Sequence, residues 1–487
     1  MPQPNDKGVN VLVILGFAMV LTFMALIMTK RLTPIVALII VPTIFGLFAG
    51  AGLGIGDMVL EALGGLAGTA ALLMFAILYF GIMIDVGLFD PLVRFILRAA
   101  GGDPAKVVVG TAILAAAVSL DGDGSTTFIV TTAAMLPIYL RLGMSPVVLT
   151  CVAGLANGTL NIVPWGGPTV RAAAALNVSA TDIFVPMLPS LLAGIAIVIA
   201  FAWLLGLGER KRLLAGGMTL EELSGNADLG GAGGGSATSG PARWANVRSG
   251  GRGAIAAPAL LRAETAAIPV ATEQMLDPRR PTLRPRLIWV NFGMTVVVMV
   301  LLVIDVLPLA YVFMVGTALA LIINFPRLKD QGDRIAHHAP NVIAVVSMVL
   351  AAGVLIGVLN GTGMVDAMSS WLVAVIPDAL GPSLAVITGV LSIPMTFFMS
   401  NDAFYFGMLP VLAESAANYG ISPVEMARAS ITGQPVHLQS PLVPAILLLV
   451  SLANVNLGDH HKKVLWRAVI VSLAMLAVGI LTTAIPW

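Results

Sequence analysis

Along residues 119–171 the chain combines apolar runs long enough to lie in a bilayer with groups that a bilayer excludes. Asp121 and Asp123 stand among Gly122, Gly124, Gly154 and Gly158, followed by Asn157, Asn161 and the run Pro164-Trp165-Gly166-Gly167-Pro168. A carboxylate at the centre of a membrane helix costs about 2.5–3.5 kcal/mol on insertion scales. Broken backbone at that depth persists only where it is buried in protein or lines a watery cavity. A stretch with both features is a candidate ion or substrate site. The plainer reading is a surface loop between two ordinary helices.

The rest of the chain leaves little room outside a membrane. Of 487 residues, 58% are hydrophobic and 10% charged, against about 25% charged in soluble domains; mean hydropathy is +0.97. A net charge of +1 gives no reason to expect a nucleic-acid partner. The single cysteine, Cys151, excludes an intrachain disulfide framework and a cysteine metal cluster. The first apolar run, residues 9–28, has its basic pair Lys30-Arg31 after it, the reverse of a signal peptide, and reads as a retained transmembrane helix.

Apolar runs predict crossings at 9–28, 32–51, 66–88, 147–163 and 183–206, with an amphipathic piece at 90–98 and a segment at 107–139 interrupted at 121–125. A second series follows: 287–307, 309–325, 341–359, an amphipathic piece near 364–376, a segment at 384–412 interrupted at 399–402, a segment at 424–452 broken at 433–441, and 464–486. Residues 207–286 are Gly-, Ser-, Ala- and Arg-rich without apolar periodicity and read as a disordered linker. Its arginines place it in the cytoplasm by the positive-inside rule. Counting from there puts Lys30-Arg31, Arg94, Arg98, Lys106, Arg141, Arg327, Lys329, Arg334 and Lys462-Lys463 on the same side. That agreement requires both interrupted segments to enter and leave on one face. The count is then about ten crossings and two re-entrant hairpins in an inner, plasma-type membrane, with both termini outside.

The two series repeat. Gly81, Gly87 and Asp90 recur as Gly357, Gly363 and Asp366 at an offset of 276. Met135-Leu136-Pro137 recurs as Met408-Leu409-Pro410, Gly143-Met144-Ser145-Pro146 as Gly420-Ile421-Ser422-Pro423, and Pro164 as Pro441, with offsets of 273–277. Five crossings per half is odd, so the second half sits upside down relative to the first. The predicted fold is therefore an all-α polytopic membrane protein of two inverted repeats, 1–206 and 287–487. Their hairpins fall at about 107–140 and 384–412. In such plans substrate binds near the midplane at broken helices.

Several stretches carry a family resemblance: FAILYFGIMID at 75–85, GDPAKVVVGTA at 102–112, LDGDGSTT at 120–127, PWGGPTVRAAAAL at 164–176, MSNDAFYFGMLP at 399–410 and GQPVHLQSPLVPA at 433–445. With KRL at 30–32 they make the chain similar to the citrate–divalent metal:proton symporters, the CitMHS family of the ion transporter superfamily, over nearly all but the linker. The resemblance implies citrate uptake as a complex with a divalent metal of the Mg or Ca type, coupled to protons. It also implies two hairpins meeting at one site and a homodimer. The metal belongs to the substrate; no permanently bound cofactor is expected.

The chemistry of the breaks fits an anion bound with a cation. The first tip offers Asp121 and Asp123 for a metal or a proton, and Ser125, Thr126, Thr127 and a half-helix N-terminus for an anion. Ser400, Asn401 and Asp402 form the second tip, where desolvation suits Asp402 to carry a proton. Both tips also read as simple helix caps. Asn157, Asn161, Gly166, Gly167 and Thr169 flank one break; Gln434, His437 and Ser440 flank the other. His437 is taken as the histidine at depth and a proton carrier, with His337, His338, His460 and His461 in loops. Arg171 either pairs with a citrate carboxylate or sits idle at the interface. The chain lacks GxxxxGK[ST], HExxH and GxSxG, so an enzyme is not expected. The remaining alternatives are transport of another di- or tricarboxylate coupled to protons or sodium, a passive anion channel, and a membrane enzyme using the tip aspartates.

Overall fold

The GMSP and GISP repeats are helix starts. Gly143 and Gly420 take left-handed φ values of 69° and 80°. The serine that follows is the N-cap, and the proline occupies the first turn, where its missing N–H costs nothing. Ser422 closes a capping box with Glu425. In the first half the N-cap amide of Ser145 instead donates to Glu209 Oε2 at 2.9 Å, from a distant helix. The repeated glycine-then-aspartate motif is likewise a corner: Gly87 and Gly363 turn with φ of 88° and 72°, and Asp90 and Asp366 lie in the first turn of the next helix.

The computed structural model describes residues 6–29, 31–122, 124–215, 280–304, 306–375 and 377–487. Asp123 and most of the expected linker lie outside them. The described residues are helical, with no strand. The first half has α1 (Asp6–Met28), α2 (Pro34–Phe48), α3 (Ile55–Asp85), α4 (Asp90–Ala100), α5 (Pro104–Val118), α6 (Gly124–Arg141), α7 (Pro146–Leu160), α8 (Gly167–Leu176), α9 (Ala180–Phe184) and α10 (Leu188–Ala215). The second has α11 (Ile288–Ile304), α12 (Leu309–Asn324), α13 (Leu328–Gly361), α14 (Met364–Val375), α15 (Leu384–Phe398), α16 (Leu409–Ala417), α17 (Pro423–Ser430), α18 (Gln434–His437), α19 (Pro444–Leu452) and α20 (Leu457–Leu481). The order of long, amphipathic, hairpin and broken elements is the same twice. Seven helical segments among the described residues are long and apolar enough to cross a membrane, and shorter apolar helices accompany them.

Equivalent helices pack against each other in opposite directions, as inversion demands. Along α3 and α13, Gly81 faces His338 while Gly353 faces Leu63 and Gly357 faces Met58. A Cβ on Gly357 would lie 2.6 Å from the Met58 carbonyl oxygen, so the backbones touch where only glycine fits. The broken segments do the same. Gly158 of α7 meets the backbone of Pro435 in α18, and Gly154 meets the Gln439 side chain.

Both interrupted segments are helical hairpins. In the first, Tyr139 and Thr111 pair their hydroxyls at 3.1 Å near the base, and Thr127 donates to Ser119 Oγ at 3.3 Å near the tip. In the second, α15 ends at Phe398, Met399 is extended, and a π-helical stretch Ala403–Met408 leads into α16.

Four histidines depart from their expected place. His337 and His338 lie in α13, and His460 and His461 in α20. His460 is fully buried, donating from Nε2 to Gln439 Oε1 and bonded through Nδ1 to Thr150 Oγ1, both at 3.1 Å. Their segments looked like loops because they are polar; in the fold the helices run on past their apolar stretches.

Candidate functional site

Both hairpin tips close on the two broken segments. At the first tip, Gly122 turns left-handed with φ of 77° against Trp165, whose indole N–H donates to the Leu120 carbonyl at 2.7 Å. Asn157 of α7 donates to Ser119 Oγ at 3.0 Å. Gly124 leaves room for Asn157 and Ala445; a Cβ there would come within 3.3 Å of both. The Pro-Trp-Gly-Gly-Pro break thus seats the first hairpin. Thr169 stabilises this break by donating to the Ile162 carbonyl at 2.8 Å.

At the second tip, Asp402 is buried and accepts from Arg171 Nε at 2.6 Å. The pair joins α8 of the first half to the hairpin of the second, and its side chains are only 17% and 9% exposed. Gly167 makes this possible: a Cβ there would stand 2.7 Å from Arg171 Nη1, in the path of the guanidinium. Ser400 Oγ accepts from the Ala403 amide at 3.2 Å, and Ser440 Oγ donates to the Phe397 carbonyl at 2.6 Å. His437 is buried with Nδ1 donating to the Thr396 carbonyl.

Between the tips runs a chain of amides. Asn161 Nδ2 donates to Gln434 Oε1 at 3.2 Å; Gln434 Nε2 donates to Asn401 Oδ1 at 3.3 Å and to Tyr405 Oη at 2.9 Å. At the offset of 277 shared by Pro146 with Pro423 and Pro164 with Pro441, Gln434 is the equivalent of Asn157. The structure therefore brings Asn157, Asn161, Gln434, Asn401, Asp402 and Arg171 into one region, with Asp121, Ser125, Thr126 and Thr127 on the tip beside it. Asp121 is buried and Ser125 half-buried. Tyr405 and Ser119 are the members that sequence reasoning missed. Tyr405 lies four residues after Asn401, one helical turn, which is the signal that could have found it.

Two cavities sit at opposite ends of α3 and α13. One, about 330 Å³, is lined by Met58, Glu61, Ala62, Gly65, Gly357, Asn360, Gly361, and Ala174 of α8, one turn beyond Arg171. The other, about 90 Å³, is lined by Gly81, Ile84, His337, His338 and Asn341, with Asp121 and Thr126 of the first tip. They are equivalents. At the offset of 276, Gly81 matches Gly357, Ile84 matches Asn360, and His337, His338 and Asn341 match Glu61, Ala62 and Gly65.

The amide chain offers a test. Gln434→Ala leaves Asn161 and Asn401 without their shared partner and removes a bond from buried Tyr405. A hydrogen bond of this kind contributes about 1 kcal/mol. Transport is expected to fall about tenfold through a raised KM for the substrate, with expression intact; an unchanged KM in vesicle uptake would separate this residue from the site.

The profile of the family described as CitMHS, citrate transporter, matches residues 9–433. A protein of Bacillus subtilis (strain 168) named citrate transporter is 46% identical over 476 residues, covering 97% of this chain and 100% of the relative. A second from the same organism, named Mg(2+)/citrate complex secondary transporter, is 44% identical over 475 residues, covering 97% and 99%. Among solved structures, the YdaH transporter of Alcanivorax borkumensis, described as having an unusual topology, superposes with a TM-score of 0.46 at 14% identity over 86% of each chain.

Proposed function

The chain belongs to the CitMHS citrate transporter family, and on that premise we propose that it imports citrate as a complex with a divalent metal, driven by protons, by alternating access. It is a multi-pass membrane protein, and its family is one of transporters rather than enzymes.

The observation that carries the reading is the buried Arg171–Asp402 pair. Arg171 presents a planar fork of donors suited to a carboxylate, yet Asp402 occupies it. A proton on Asp402 forms an O–H bond, removes the negative charge and releases the guanidinium. A citrate carboxylate then takes its place. Binding of the anion thereby requires a proton, which is the essence of symport. The metal turns toward the first tip, whose carboxylate, hydroxyl and amide oxygens suit a hard cation. His437 is a second proton carrier beside the second tip.

The electrical balance supports more than one proton. A citrate trianion with one divalent metal carries about −1, and moving that charge inward against 100 mV costs about 2.3 kcal/mol. One proton neutralises the step; two make it favourable.

Paired, equivalent cavities of unequal size support alternating access, each being the mouth of one state. The smaller lies at the end of the helix pair where Arg280, Arg284, Arg327, Lys329 and Arg334 collect, the cytoplasmic side by the positive-inside rule.

Labelled-citrate uptake into vesicles of purified protein tests the reading. Uptake is expected to need Mg²⁺ or Ca²⁺, to stop with chelator, and to follow an inward proton gradient. Equal uptake in chelator would remove the metal from the substrate, and dependence on sodium alone would replace the proton.

A further inference from the structure

We propose that Asp85 and His338 form a proton-release station at the smaller mouth, passing the coupling proton from the transport site to water. This rests on the proton-coupled reading above.

His338 Nε2 donates to Asp85 Oδ2 at 2.9 Å, and Arg334 Nη1 donates to the same oxygen at 3.3 Å. The imidazole is 9% exposed and the carboxylate 11%. Gly81 seats the ring; a Cβ there would stand 2.6 Å from His338 Nδ1. His338 and the exposed His337, whose rings meet edge to face at 4.9 Å, line the cavity that ends at the first hairpin tip. Its polar walls and its size, about 90 Å³, suit several waters. A polar route thus runs from the site past a buried imidazole to an exposed one.

The scaffold does not require these groups. At the equivalent positions of the other mouth, Gly361, Met58 and Ala62 stand where Asp85, Arg334 and His338 stand here. The helix pair meets there through these three uncharged residues, although Glu61 lines the cavity, so the Asp85–His338 pair is confined to one side.

The step is a proton relay. His338 takes a proton from cavity water through Nδ1, the imidazolium is held by Asp85, and an N–H bond then breaks toward water at His337. Among the described residues, the charged groups around the pair are Arg334 and His337 on α13, Asp121 on the tip, and Arg280, which donates to the Asp85 carbonyl and is itself held by the Asp90 carboxylate of α4. The apolar helices α2 and α12 bring no charged side chain. Arg334 already neutralises Asp85, which suits the cluster to a passing proton rather than a resident cation.

His338→Gln keeps a donor to Asp85 without titrating. Gly81→Ala keeps every titratable group but displaces the ring. Both are reconstituted as full chains with lumenal pyranine and magnesium citrate. Citrate exchange at equal pH is expected near wild type, while gradient-driven uptake and lumenal acidification fall about tenfold. Either variant that inserts decides the matter. Wild-type acidification and pH profile in the variants would overturn the station, as would equal loss of exchange and driven uptake, which marks a structural role. Absence of acidification in wild type would instead overturn proton coupling itself, and this inference with it.

Discussion

Arg171→Gln is expected to lower citrate uptake by about two to three orders of magnitude, because truncating one partner of a buried ion pair costs about 3–5 kcal/mol. Two losses combine. The variant lacks the guanidinium proposed above to take a citrate carboxylate, and it leaves buried Asp402 without its cation. Asp402→Asn separates them. It keeps Arg171 and removes only the competing charge, as a permanent proton would. Citrate exchange is expected to persist and to lose its dependence on acid pH, while accumulation against a gradient disappears. The measurements are exchange and net uptake of labelled citrate across a pH series. If Asp402→Asn retained wild-type pH dependence and accumulation, the pair would be structural and coupling would reside elsewhere.

Gly158→Val is expected to abolish transport by separating the broken segments. A Cβ at 158 would stand 2.9 Å from Pro435 Cα and 3.1 Å from the Pro435 carbonyl oxygen. These are backbone atoms, so no side-chain rotation relieves the clash. Overpacking of this kind costs about 1–3 kcal/mol, and the displacement falls on the hydrogen bond between Asn161 and Gln434. Both the midpoint of thermal unfolding in detergent and uptake should drop. A variant with wild-type uptake would show that α7 and α18 do not hold this contact in the working protein.

The histidines show where polarity misleads. Residues 327–338 and 457–463 carry enough charge to resemble loops, yet each begins a long helix, α13 and α20. Hydropathy marks where a helix meets lipid, and a helix need not stop there. Asp85 posed a related difficulty. It is the last residue of α3, and its imidazole partner stands 253 residues away.

The sequence by itself determined the material and the plan. Apolar runs of bilayer length admit only helices or closed barrels, since the backbone must satisfy its own hydrogen bonds in lipid. Motifs recurring at offsets of 273–277 marked two copies, and an odd number of crossings per copy made them inverted. Carboxylates, amides and glycines at apolar depth marked where the helices break. What only the tertiary structure decided is which of these groups meet. Arg171 finds Asp402 across 231 residues and Asn161 finds Gln434 across 273. Local periodicity reports which face of a helix is apolar, but an ion pair between two breaks depends on how two inverted halves are docked. That docking is set by glycine contacts such as Gly158 on Pro435 and Gly357 on Met58, where the sequence shows the glycine but not the backbone it will meet.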